Sequence, residues 1–253
     1  MSAVISPRTT THEPRRSPRS RSVYEKLAQY YDALYHFKDY AAASRKLHDL
    51  VQEHVPNART LLDVACGTGK CVEHLQAHYQ THGVDLSPEM LEIARGRCPD
   101  VGFDVADMAD FNLGRTFDVV TCLFSSIGLV KTADRLDRAV AAMARHLNRG
   151  GMLIVEPWFS PENYWVDRLV SNHVDEPSLK VAWMYKSERE GLLSVMNIHY
   201  LVATPAGVEY FSERHESGLF TPEQYLDAFR KAGLRVTYDP SGLFGRGMYV
   251  GRG

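Results

Sequence analysis

The sequence predicts an α/β fold, a mostly parallel sheet with helices on both faces, carrying a β-rich insertion late in the chain. Three observations support that expectation. Between residues 60 and 156, short apolar runs of strand length alternate with segments of helical periodicity, the pattern of successive βαβ units. The first of these runs leads at once into a glycine-rich turn, Cys66-Gly-Thr-Gly69, that opens a helix. Past residue 180 the alternation stops, and three strand-like runs follow one another across short turns, which pairs them antiparallel.

Taken in order, Val23 to Val51 reads as helical, with Leu27, Tyr31, Leu34, Leu47 and Leu50 on apolar faces, and Pro56 ends it. Thr60 to Ala65 is a buried strand. Lys70 to Tyr79 is the helix after the turn, and His82 to Leu86 is the second strand. Ser87-Pro88 is an N-cap followed by proline at the first helical position. Val101–Val105 and Phe117–Phe124 are strands three and four. Residues 133–147 carry Leu136, Val140, Met143 and Leu147 at helical spacing, and Gly150-Gly151 is expected to stop that helix. Met152 to Glu156 is strand five. The insertion then holds Lys180–Lys186, Ser194–Val202 and Val208–Glu216, with turns at Arg189-Glu-Gly191 and Pro205-Ala-Gly207. Thr221-Pro-Glu-Gln224 is a capping box. Gly233 ends its helix, and Leu234–Tyr238 and Gly247–Gly251 close the chain as strands.

Bulk composition fits one globular unit. The chain has 253 residues, 44% of them hydrophobic and 24% charged, near the averages for folded domains. Its formal charge of −2 conceals an asymmetry. Five arginines against one glutamate in residues 1–21 make that stretch +4 and leave −6 on the rest. The stretch is rich in Ser, Thr, Pro and Arg and lacks an apolar run, so it reads as a flexible tail ahead of a domain spanning 22–253. The acidic body argues against a nucleic-acid partner, which would need clustered cations. No apolar stretch is long enough to span a membrane. The four cysteines, Cys66, Cys71, Cys98 and Cys122, form no CxxC pair, so reduced thiols in a cytoplasmic protein are expected. No His/Cys/carboxylate cluster has metal-ligand spacing, so no metal is expected.

Chemistry concentrates where strands end. Gly67 and Gly69 lack a Cβ, which lets the backbone turn sharply and press against a ligand. Ligands of open α/β sheets sit at the carboxyl ends of strands. Asp85, at the end of strand two, can accept both hydroxyls of a ribose. Asp107-Met108, after strand three, can take an adenine amino group and cover the ring. A dinucleotide site would follow G-x-G-x-x-G, but Gly67-Thr-Gly69-Lys-Cys-Val72 lacks the third glycine. Asp63 would also sit poorly beside a pyrophosphate and suits a cationic amino acid moiety.

These segments, Asp63-Val-Ala-Cys-Gly-Thr-Gly69, Gly83-Val-Asp-Leu-Ser87, Asp107-Met108 and Arg149-Gly-Gly151, resemble the motifs of class I S-adenosylmethionine (SAM)-dependent methyltransferases across residues 60–156. The resemblance implies a Rossmann-like seven-stranded sheet with the antiparallel insertion, residues 175–218, as a substrate lid. It implies SAM as cofactor, S-adenosylhomocysteine as product, and a site holding Asp63, Ala65, Gly67, Gly69 and Asp85. Leu86, Met90, Asp107, Met108 and Phe124 are counted with that site, and one of Tyr24, Tyr30 and Tyr31 is expected to close over the cofactor, Tyr24 and Tyr31 first.

The second half is similar to bacterial N,N-dimethyltransferases acting on nucleotide-linked amino sugars of the desosamine and mycaminose type. Asp110–Arg115, Phe124–Gly128, Glu156-Pro-Trp158, Arg189–Gly191, Ile198–Tyr200, Leu219–Thr221 and Gly245-Arg-Gly247 carry that likeness. It implies a dTDP-linked amino sugar as small-molecule substrate, in antibiotic biosynthesis. Arg246 between two glycines is the natural diphosphate contact. Ser125, Ser126 and Trp158 are the further substrate candidates. Methyl transfer to a neutral amine asks mainly for positioning and exclusion of water, and His215, His199, Tyr164 and Glu213 are candidate acceptors for the amine's proton, His215 first. Two departures stand out: Leu129 where those enzymes place an aromatic or His, and the inserted Leu243-Phe244. They leave open an N- or O-methyltransferase of a non-nucleotide small molecule. An RNA-modifying protein guided by the arginine-rich tail and an NAD-dependent oxidoreductase are the remaining alternatives. Edge strands in the insertion could pair across a homodimer.

Overall fold

The computed structural model describes residues 26–253; the tail and Tyr24 lie outside the described residues. The single helix expected from Val23 to Val51 is divided. A 3-10 turn, Ala28–Tyr30, runs into the one-turn α1 (Tyr31–Leu34), and α2 (Tyr40–His54) begins afresh after Asp39. The Asp39 carboxylate accepts the Ala42 N–H at 2.8 Å, a side-chain cap that starts a new helix. Both pieces bury aliphatic side chains, so the apolar spacing runs through the break. Their burial partners differ, as described below.

The main sheet follows the expected rhythm: β1 (Thr60–Val64), α3 (Lys70–Leu75), β2 (Gln80–Asp85), α4 (Pro88–Arg97), β3 (Gly102–Val105), β4 (Phe117–Cys122), α5 (Ala133–Arg145) and β5 (Leu147–Val155). After the insertion come α6 (Pro222–Lys231), β10 (Arg235–Asp239) and β11 (Met248–Arg252). The seven strands lie in the order β10-β11-β5-β4-β1-β2-β3. β1 to β5 run parallel, while β11 pairs antiparallel with β5 and β10. Alternation along β1 sends Leu62 and Val64 to a core shared with Val140, Met143 and Phe229, and Leu61 to one shared with Leu47, Val51 and Leu75. The chain thus covers both faces of the sheet, and strand order reverses beside β1, which defines the switch point.

Local signals behave as their chemistry requires. Ser87 Oγ accepts the Met90 N–H with Pro88 in the first turn, and Thr221 and Gln224 form both bonds of the capping box. One stop signal is placed differently. α5 ends at Arg145, before the glycines, and His146 caps it: Nδ1 bonds the Ala142 carbonyl and Nε2 accepts the Leu113 N–H. Gly150 and Gly151 lie within β5, where the pairing with β4 shifts register between Phe117 and Val119.

The insertion is a four-stranded antiparallel sheet rather than a three-stranded one: β6 (Leu169–Glu176), β7 (Leu179–Glu190), β8 (Leu193–Thr204) and β9 (Gly207–Gly218), in that order. β6 begins before the expected boundary at 175. Only Val174 is buried along it, so its Ser171-Asn-His173 stretch shows no apolar alternation. The inner face carries Val181, Ile198, Tyr200, Val202 and Phe211, and Leu27 and Leu34 of the N-terminal segment pack against it. The N-terminal segment therefore lies under the second sheet, while α2 lies on the first. The sheets meet at a 3-10 turn, Ser126–Val130: a Cβ on Gly128 would fall 3.0 Å from Trp158 Cβ and 3.1 Å from Ser217 Cβ.

Candidate active site

At the switch point, β1 opens into a turn with alternating left-handed residues, Ala65 (φ 60°), Gly67 (φ 55°) and Gly69 (φ 76°). A cavity opens over this turn, bordered by Tyr31, Tyr40, Asp63, Gly67, Phe124 and Ser126. A Cβ on Gly67 would meet open space, whereas one on Gly69 would fall 3.1 Å from Ala94 Cβ. Gly67 is therefore needed for its backbone angle and Gly69 also for close packing on α4. α1 closes this turn from outside: Thr68 Oγ1 donates to Asp32 at 2.6 Å, and the Arg97 guanidinium bonds both Asp32 and the Thr68 carbonyl.

Two carboxylates face the turn. Asp63 is 3% exposed and accepts the Thr121 hydroxyl at 2.8 Å. Burial, opposed by that hydrogen bond and reinforced by Asp85, pushes it up to about 7. A buried carboxylate with one oxygen bonded suits an ammonium. Asp85 is also raised by burial, against the N–H groups of Ser87 and Gly67 that bond it at 2.9 and 2.8 Å. Those bonds tie the second strand to the turn and fix the carboxylate where a ribose would lie. Beside it Leu86 is 64% exposed, an apolar side chain held open for a ring, whereas Met90 is buried at the start of α4. This donor set fits SAM: an anion for its ammonium, an anion for its ribose and apolar surface for its adenine.

Asp107 is placed otherwise. Its carboxylate takes both oxygens to Arg135, at 2.9 and 2.8 Å, and faces a second cleft bordered by Asp104 and Arg115. The Arg135 charge and bonds hold it below the usual carboxylate range despite burial. Met108 packs against the main core. Neither lines the cavity over the turn.

The lid side gathers the substrate candidates. Phe124 (φ 54°) and Ser125 (φ 65°) are consecutive left-handed non-glycine residues after β4, a backbone cost met at functional turns. Buried Glu156 holds that turn by accepting the Phe124 N–H at 2.8 Å and the Leu243 N–H at 3.3 Å. Arg246 donates to Ser125 Oγ at 3.3 Å, and its guanidinium lies 4.7 Å from the ring centre of Trp158 and 4.9 Å from that of Phe159. Ser125 Oγ itself donates to the Pro157 carbonyl at 2.6 Å, and Trp158 Nε1 donates to Ser194 of β8. The inserted Phe244 rests 4.4 Å from Phe124, so Leu243-Phe244 builds the wall of the site.

The proton-acceptor candidates separate by strand geometry. His215, Glu213 and Phe211 share the inner face of β9, with His215 opposite Met196. His215 Nε2 lies 3.2 Å from Glu213 Oε2, both side chains nearly buried. His199 does not reach the site: Ile198 and Tyr200 point inward, so His199 points out, exposed and bonded to the Tyr210 hydroxyl at 2.6 Å. Tyr164 is buried, its hydroxyl has no hydrogen-bond partner among the described residues, and burial pushes it up to about 12; it stays a neutral phenol. Two groups escaped the sequence reading, Tyr35 and Lys38. Both fall in the break between α1 and α2 that helical periodicity hid.

Residues 61–151 match the methyltransferase domain family. Over 228 residues the chain is 44% identical to the dTDP-3-amino-3,4,6-trideoxy-alpha-D-glucopyranose N,N-dimethyltransferase of Streptomyces venezuelae, covering 88% of this chain and 96% of that one. The crystal structure of Streptomyces venezuelae DesVI matches with a TM-score of 0.85 and 44% identity, covering 89% and 97%. SAM-bound CalS10, an amino pentose methyltransferase from Micromonospora echinaspora involved in calicheamicin biosynthesis, matches with a TM-score of 0.81 and 35% identity, covering 96% and 99%. The cofactor is SAM, which the turn and its two carboxylates fit. The chain belongs to the class I SAM-dependent methyltransferases, in the branch that holds the dTDP-amino-sugar N,N-dimethyltransferases.

Proposed function

We propose that this enzyme transfers methyl groups from SAM to the amine of a deoxyamino sugar carried on a nucleoside diphosphate, in antibiotic biosynthesis. The observation that carries this reading is Arg246. It is a guanidinium framed by Trp158 and Phe159 and fastened to Ser125, next to Phe124 of the cofactor cavity. A fork-shaped cation set over aromatic rings matches phosphate oxygens. The names of the similar enzymes, dTDP-amino-sugar N,N-dimethyltransferases, supply the sugar.

SAM supplies a methyl group activated on a sulfonium. The protein's own work is positional. Asp63 holds the ammonium of the cofactor's amino acid part, Asp85 its ribose, and Tyr31 under the lid sheet excludes water. The acceptor amine attacks only when neutral. The His215–Glu213 pair, with Nε2 3.2 Å from the Glu213 carboxylate, is the group placed to receive the amine's proton. Ser125, Ser126 and Trp158 shape the substrate side.

The test is calorimetric titration of the full chain with thymidine diphosphate in the presence of S-adenosylhomocysteine. Micromolar binding that weakens by about 10- to 100-fold in Arg246→Ala supports the reading, the loss expected for a charge-assisted phosphate contact. Homocysteine binding without any response to the nucleotide would keep a small-molecule methyltransferase and remove the nucleotide-linked acceptor.

A further inference from the structure

Lys38 occupies an unusual position for a lysine. It lies in the break between α1 and α2, half-buried, with its ammonium 4.3 Å from the ring centre of Tyr35 and 4.5 Å from that of Phe124. Arg246 bonds Ser125, the next residue. Lys38 thus meets Phe124 and Arg246 meets Ser125, two cations on one left-handed dipeptide. Among the described residues no carboxylate lies within ion-pair distance of either. Glu156 is near both, but its oxygens accept the N–H groups of Phe124 and Leu243.

The electrostatics register this crowding. Lys38 is lowered to about 8, first by burial and then by Arg246, with Cys71 and Glu156 opposing. Arg246 is lowered by burial, with Glu156 opposing. Tyr35, pushed up to about 12 by burial, feels Arg246 and Glu213. Two neighbouring cations without paired anions, Lys38 partly withdrawn from water and Arg246 exposed, form an arrangement that an incoming anion stabilises. Aromatic faces on Tyr35, Phe124, Trp158 and Phe159 hold them in place meanwhile.

We infer that Lys38 and Arg246 form a two-cation clamp for the diphosphate of the nucleotide-linked substrate, Lys38 taking one phosphoryl group and Arg246 the other. The inference rests on the nucleotide-sugar reading above and adds a second binding residue, contributed by the N-terminal segment. Because Lys38 also lies over Phe124 of the cofactor cavity, the rival anion is the carboxylate of SAM itself. The two anions are separable by titration.

The experiment is calorimetry on the full chain and on Lys38→Met and Lys38→Arg, with thymidine diphosphate and thymidine monophosphate in the presence of saturating S-adenosylhomocysteine, and with S-adenosylhomocysteine alone. A clamp predicts that Lys38→Met binds the diphosphate about 10- to 100-fold more weakly and loses most of the wild-type preference for diphosphate over monophosphate. Lys38→Arg restores affinity to within a few-fold, and homocysteine binding and the melting temperature stay at wild-type values. The diphosphate-to-monophosphate ratio is insensitive to a partly misfolded fraction. If Lys38→Met weakens S-adenosylhomocysteine binding and leaves the ratio intact, Lys38 serves the cofactor and the clamp is wrong. If the ratio is intact and Arg246→Ala alone abolishes nucleotide binding, the nucleotide reading survives and the clamp fails. If wild-type protein ignores the diphosphate, both fail.

Discussion

The titration of Asp63 yields the sharpest quantitative expectation. Burial raises this carboxyl to about 7 in the cofactor-free protein. For an acid raised above its ordinary value, the folded state holds the proton more tightly than the unfolded chain. Its contribution to stability is present at low pH and is lost as pH rises from about 4 towards about 7. The cofactor's ammonium reverses that preference, because an ion pair requires the carboxylate. Binding therefore expels a proton below pH 7. About nine in ten molecules carry the carboxylate at pH 8, half at pH 7 and about one in ten at pH 6. Affinity for S-adenosylhomocysteine should thus fall about tenfold between pH 8 and pH 6, or about 1.4 kcal/mol.

The assay is calorimetry at pH 6, 7 and 8, each in two buffers of different ionisation enthalpy, so that the released proton is counted directly. The ligand's ammonium titrates on the alkaline side and opposes the trend only at the upper end. Asp63→Asn should bind about 10- to 100-fold more weakly at pH 8, from loss of a charge-assisted bond, and should flatten the profile. Asp85 is also raised by burial, so the Asn variant isolates the Asp63 share. Wild-type affinity that varies less than twofold from pH 6 to 8, or an undiminished slope in Asp63→Asn, would refute the assignment.

Three further outcomes follow from the same geometry. Gly83→Ala places a Cβ 2.6 Å from Phe103 Cδ1 and 2.8 Å from Cys66 Sγ, so overpacking of about 1–3 kcal/mol should lower Tm by several degrees and weaken homocysteine binding through Cys66. His215→Gln should cut kcat about 100-fold at neutral pH, with the deficit shrinking at pH 9 where solvent deprotonates the amine; His199→Ala, an outward residue, should leave kcat within twofold. Affinity for thymidine diphosphate should fall several-fold between 0.1 and 0.5 M salt, because Arg246 is exposed and an exposed cation is screened; affinity independent of salt would mean that the phosphates do not meet that arginine.

Legibility followed from whether a residue's role is written in local chemistry. The turn Cys66–Gly69, the cap at Ser87 and the box at Thr221–Gln224 act within four residues, and each formed as its residue types demand. β1, β4 and the second half of β5 were legible because burial on both faces makes them continuous apolar runs. β6 was not, because only Val174 is buried along it and Leu169 is exposed, so no apolar alternation marks the strand. The break at 35–39 was hidden by helical spacing shared by two helices that pack on different sheets. Asp107 illustrates the limit on the site: its position after β3 was foreseeable, but its capture by Arg135, 28 residues on, depends on tertiary placement.

The charge layout couples the two ligands. SAM carries a sulfonium, and the inferred clamp places two uncompensated cations beside the Phe124 wall of the same cavity. A sulfonium entering next to unfilled Lys38 and Arg246 is opposed, whereas the neutral sulfur of S-adenosylhomocysteine is not. A bound diphosphate cancels the opposing charge. Nucleotide and SAM should therefore bind with positive coupling, on the order of 1 kcal/mol after screening, or about fivefold. Nucleotide and S-adenosylhomocysteine should bind almost independently. Reciprocity makes the check strict: SAM affinity measured with and without thymidine diphosphate must shift by the same factor as thymidine diphosphate affinity measured with and without SAM. Equal coupling to both forms of the cofactor would mean that the link runs through lid packing over Tyr31 rather than through charge. The charge-based coupling would also favour turnover, since release of the product diphosphate sugar would proceed from a complex in which the cofactor had already lost its positive charge.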